Sequence, residues 1–86
     1  MLTVLIFHEV DDVDHWVTSP KRDEFFGPMG MTHRTFIDPQ GTNRVGLVVE
    51  VPSMEGLQEA LATPEAAEAM KVDGVRPETI VMLVQP

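Results

Sequence analysis

The chain has 86 residues, six basic and fourteen acidic, for a formal charge of −8, and it contains no cysteine. That length is one small domain with a thin core, and the missing cysteines exclude disulfides, thiolate nucleophiles and zinc-thiolate or iron–sulfur sites. The acidic balance opposes phosphate backbones and anionic lipid, so neither nucleic acid nor a membrane is an expected partner; no apolar run approaches a bilayer span, and a cytoplasmic protein is the expectation.

In chain order, residues 2–8 are β-branched, aromatic or apolar for the length of one strand, and acidic residues end the run. Asp11 is placed to cap the helix that follows, with Asp12 and Asp14 near its positive end and Val13, Trp16 and Val17 as its buried stripe. Ser19-Pro20 interrupts that helix and restarts it through Phe25 and Phe26, and Gly27-Pro28 and Gly30 close it. A second strand over 31–38 turns at Asp38-Pro39-Gln40-Gly41 into a third over 45–51. Ser53 then caps a helix with Leu57 and Leu61 inward, Thr63-Pro64 restarts it, Gly74 closes it, and a fourth strand covers 79–84.

The second half of this plan repeats the first at an offset of 44 without a gap. Val4 falls on Val48, Val17 on Leu61, Pro20 on Pro64, Glu24 on Glu68, Gly30 on Gly74 and Thr35 on Thr79. The repeated order is βαββαβ in one domain spanning 1–86, an α+β chain. Right-handed crossovers put both interrupted helices on one face of a four-stranded antiparallel sheet, the ferredoxin-like arrangement. Strands one, three and four are apolar at nearly every position, as a sheet covered on both faces requires. Helices cover only one face, so a second copy of the chain, sheet against sheet, is expected on the other.

In these respects the chain resembles the dimeric α/β-barrel superfamily, whose protomers are ferredoxin-like, of about this length, with interrupted helices, and pair through their sheets. The resemblance covers the whole chain and rests on architecture. It implies a homodimer with a ligand cavity between sheet and helices, and a function drawn from small cofactor-free oxygenases, isomerases, polyketide-tailoring enzymes or non-catalytic binding proteins. The site of the haem-degrading members is not carried over, because the only Asn, Asn43, lies in a turn.

The two halves differ in their chemistry. All three His, the only Trp and all four Phe precede residue 37, which places a candidate site in residues 8–36. His8, at the end of the first strand, and His33, on the second, are the candidate acid/base groups. Trp16, Phe25 and Phe26 are candidate walls; Arg22 or Arg34 would anchor an anion, and His15, beside the buried stripe of the first helix, is a further candidate for substrate binding. His33 and Arg34 point to opposite sheet faces, so at most one faces the helices. Core packing and salt bridges are the structural alternative for each. No cofactor and no metal are expected, since no phosphate loop, nucleotide fingerprint or spaced ligand set is present. The expected ligand is a small aromatic or apolar organic molecule, acted on by an isomerase, cyclase or cofactor-free monooxygenase; the alternative is a binding or regulatory dimer without catalysis.

Overall fold

The computed structural model describes all of residues 1–86. Its strands are β1 (Leu2–Val10), β2 (Thr32–Ile37), β3 (Arg44–Val51) and β4 (Val75–Val84). Its helices are α1 (Val13–Thr18), α2 (Lys21–Phe26), α3 (Met54–Leu61) and α4 (Pro64–Asp73). The sheet order is β2-β3-β1-β4, antiparallel throughout. The chain has the ferredoxin-like fold, with the two interrupted helices in the expected places.

Strand pleat sorts the side chains. Val4, Ile6, His8 and Val10 of β1 and Val45, Leu47, Val49 and Val51 of β3 are buried on the helix side. Trp16, Phe26 and Leu57 complete that core. Each large apolar side chain buried there contributes about 1.5–3 kcal/mol, and a chain this short has few of them.

The punctuation residues act as their chemistry dictates. Gly30 and Gly74, 44 apart, both adopt φ of 71°, the left-handed conformation that closes each interrupted helix. Thr63 caps α4 by accepting from the Ala66 amide, and Ser53 caps α3 by accepting from Gly56. Three details differ from the sequence reading. Val17, expected in the buried stripe of α1, is exposed. Asp12, not Asp11, caps α1, accepting from the His15 amide; Asp11 instead pairs with Arg76, whose Nε lies 2.9 Å from Oδ1. Also, β4 begins at Val75, four residues earlier than the residue pattern indicated. Pro77 interrupts that pattern. It is tolerated because β4 is an edge strand and its pairing with β1 shifts register between Phe7 and Glu9. Thr79 stabilises the irregularity, its hydroxyl accepting from the Glu9 amide at 2.8 Å and donating to the Arg76 carbonyl at 2.6 Å.

The opposite sheet face carries Leu5 and Phe7 of β1, Phe36 of β2, Val48 of β3, and Val81 and Leu83 of β4. Phe7, Phe36, Val81 and Leu83 are 45%, 49%, 52% and 54% exposed, so this face is an uncovered apolar surface. Gly46 lies between Phe7 and Phe36 in the pairing register and leaves a groove between the two rings.

Candidate functional site

A cavity of about 80 Å³ lies between the helix-side face of the sheet and the two interrupted helices. Twelve of its sixteen lining residues are hydrophobic, so each polar group in its wall is conspicuous. A closed core cavity of roughly 150 Å³ takes up benzene; this one is smaller but open on one side, so a small ring can enter it in part.

His8 enters this wall from β1, at the step where the β1–β4 register shifts. It is 6% exposed and meets Trp16 edge-on, with 5.5 Å between ring centroids. The acidic neighbours do not hold it, because Glu9 and Asp11 are both turned to Arg76. Nδ1 is sealed in without a hydrogen-bond partner, whereas Nε2 is not sealed in this way. Burial lowers the pKa of His8; the Glu9 backbone partly offsets this, and the nearby positive charge of Arg22 lowers it further. His8 is therefore neutral at neutral pH and free to accept a proton.

Arg22 rises from the first turn of α2 and lays its guanidinium over the Trp16 ring, 4.0 Å from the centroid. Nη2 donates to the Trp16 carbonyl at 2.6 Å and the Val17 carbonyl at 3.4 Å, closing the last turn of α1 where carbonyls lack helical partners. Nη1 stands 3.6 Å from Asp73 Oδ2, and both side chains are at least nine-tenths buried. Asp73 ends α4, a place where the helix dipole disfavours a carboxylate; Arg22 and the Ser19 hydroxyl, which donates to Oδ1, hold it there. The same Ser19 hydroxyl accepts from the Lys21 amide at 3.2 Å, so it holds Asp73 and the start of α2 together. Arg22 Nε and Nη1 remain without hydrogen-bond acceptors. Burial lowers the pKa of Arg22, and Asp73 and then Asp23 counteract it, so the guanidinium stays charged.

Among solved structures, one described as an antibiotic biosynthesis monooxygenase superposes with a TM-score of 0.66 at 13% identity, over 100% of this chain and 97% of the other. A proposed antibiotic biosynthesis monooxygenase from Chloroflexus aurantiacus gives 0.62 at 14% identity, over 100% and 94%. The shared fold is the ferredoxin-like arrangement described above. At these identities the likeness concerns the fold alone. No family model matches the chain, and no curated protein matches it in sequence.

The ferredoxin-like fold brings His8, Trp16, Arg22, Phe25 and Phe26 to one cavity. His33 does face the helix side, but it packs against the Phe26 ring at 5.7 Å and does not line the cavity; its Nε2 lies 2.8 Å from Asp23 Oδ1. Arg34 lies on the opposite sheet face and is exposed. His15 donates from Nε2 to the Val72 carbonyl at 2.8 Å, a tie between α1 and α4 that also lies outside the cavity. The residue range 8–36 proves too narrow. More than half of the lining residues come from the second half: Leu61 and Met70 from the helix layer, and Ile80 and Met82 from β4, on the same sheet face as His8. Asp73, the polar group that the sequence reading missed, has one available signal: it is a lone carboxylate directly before the closing glycine of a helix.

Proposed function

We propose that the chain is a homodimeric enzyme acting on a small apolar or aromatic organic molecule held between sheet and helices, with His8 as general base. The observation that carries this reading is the buried imidazole of His8, its Nδ1 without a hydrogen-bond partner, in the wall of an apolar cavity beside a buried guanidinium. Neutral His8 would take a proton from carbon next to a carbonyl, leaving an enolate whose charge the new imidazolium balances and whose oxygen accepts a hydrogen bond from Arg22. Return of that proton to a different carbon is an isomerisation. Capture of the enolate by molecular oxygen, followed by loss of water, converts a CH2 group and O2 into a carbonyl and H2O, the cofactor-free monooxygenase outcome. The fold neighbours described as antibiotic biosynthesis monooxygenases favour that second branch for a chain of this shape. Trp16, Phe25 and Phe26 would hold the apolar body of the substrate.

Dimerisation through the open sheet face belongs to the same proposal. Phe7, Phe36, Val81 and Leu83 would be covered by the same residues of a second copy, giving a two-fold interface.

One observation favours a binding protein without catalysis: Nδ1 of His8 has no hydrogen-bonded group to orient the ring, as a catalytic imidazole commonly has. Hydrogen–deuterium exchange separates the two readings. In D2O, enzyme-dependent exchange at the α-carbon of small ketones is expected, slowed about 10²–10⁴-fold by His8→Gln. Exchange no faster than in buffer, or unaffected by His8→Gln while the ketones still bind, would leave the binding protein.

A further inference from the structure

Charge in the cavity wall is already balanced. Arg22 supplies one positive charge and Asp73 one negative charge 3.6 Å away, and the two side chains are 10% and 5% exposed. Lys21, also at the cavity, turns its ammonium to Glu24 at 3.7 Å. What the wall lacks is hydrogen-bond acceptors. Arg22 Nε and Nη1 are sealed from solvent with nothing to donate to, and a buried donor left unpaired is costly.

From this combination we infer that the site selects neutral carbonyl compounds of a few carbon atoms over carboxylates of the same shape. A ketone, aldehyde or ester oxygen, met by a small shift of the Arg22 side chain that uncovers Nε or Nη1, supplies the acceptor that the guanidinium lacks and leaves the charge balance intact. A carboxylate supplies the same acceptor but sets a second negative charge beside Asp73, in a cavity too apolar to screen it. The cavity volume of about 80 Å³ confines the preference to short chains and small rings. The sequence reading, which had an arginine anchoring an anion, counted Arg22 without Asp73.

The inference rests on the cavity being the ligand site, and a matched pair of probes tests the two separately. 2-Butanone and propionate have nearly the same size and differ in charge. Each would be titrated into the 15N-labelled full chain while the Trp16 indole N–H and Arg22 Nε–H resonances are followed. Saturable shifts with 2-butanone are expected, with propionate weaker by about tenfold or more. Asp73→Asn, which removes the competing charge and keeps an acceptor for Ser19, is expected to raise propionate affinity by about tenfold. Propionate binding as tightly as 2-butanone to the unmodified chain would overturn the selectivity and leave the site standing. An unchanged propionate affinity in folded Asp73→Asn would do the same. Silence at both resonances with both probes would remove the site and the selectivity together. The comparison in the unmodified chain needs no variant, so misfolding of Asp73→Asn does not remove the test.

Discussion

Asp73→Ala isolates the group on which the helix layer depends. Asp73 accepts from Ser19 at the break between α1 and α2 and faces the Arg22 guanidinium, so its removal leaves a charged group buried at 10% exposure with no counter-charge. Breaking a buried pair in this way costs about 3–5 kcal/mol, against about 1 kcal/mol or less for a surface pair. A domain of this length has a total stability of about 4–13 kcal/mol. With a urea m-value near 1 kcal/mol/M for so small a chain, the unfolding midpoint should fall by about 3 M or more. Trp16 fluorescence is the natural probe, because the guanidinium lies on its ring. Protein concentration must be held fixed, since association would add to apparent stability. Replacing both partners with apolar groups, Arg22→Met with Asp73→Leu, should recover at least half of the loss, because no orphaned charge remains. A cost below about 1 kcal/mol for Asp73→Ala would refute the reasoning, since it would give the pair the worth of a surface contact.

Three further outcomes follow from the same geometry. His8 is held below the pKa of an unfolded histidine, so the unfolded chain binds the extra proton first as pH falls; the stability due to neutral His8 is complete above about pH 6.5 and declines below it, and His8→Gln should flatten urea midpoints measured between pH 7.5 and 5.5. Phe7→Asp puts a charge into the open sheet face without touching the helix-side core, and sedimentation should show the two-chain mass of the parent reduced to the 9.6 kDa of one chain. Gly74→Ala meets both a φ of +71° and an Asp11 Cβ 3.3 Å from the new methyl group, whereas Gly41→Ala at φ +79° meets open space. Calorimetry should therefore show a loss of about 1–2 kcal/mol at Gly41 and a clearly larger one at Gly74.

The fold was legible because its signals are local and repeated. Pro20 and Pro64 break both helices, Gly30 and Gly74 close them with the same φ, and the near-continuous apolar strands announce two contact faces. Where the signal was not local, the sequence reading fell short. The start of β4 was hidden by Pro77, and only the edge position and Thr79's two hydrogen bonds explain how the strand passes it. Strand parity placed His33 and Arg34 on opposite faces, but it could not show that Phe26 takes the place between His33 and the cavity. Asp73 was unreadable for the opposite reason: its partners, Ser19 and Arg22, are 54 and 51 residues away in the chain, and the asymmetry of the halves put the candidate site in residues 8–36. The asymmetry between the halves singled out His8 and Trp16, and the scarcity of cations Arg22; all three line the cavity. Neither signal could show that the second half supplies more than half of the lining.

The central claim is that the ligand site is this sheet–helix cavity, and filling the cavity tests it whatever the natural ligand is. Small ketones and phenols would be titrated against the intrinsic fluorescence of Trp16 in the unmodified chain and in Ala69→Phe, which adds a ring to the α4 side of the cavity. The account predicts a saturable change with at least one compound in the unmodified chain and its loss in folded Ala69→Phe. A response that survives in Ala69→Phe, or none from any compound in the unmodified chain, would contradict it.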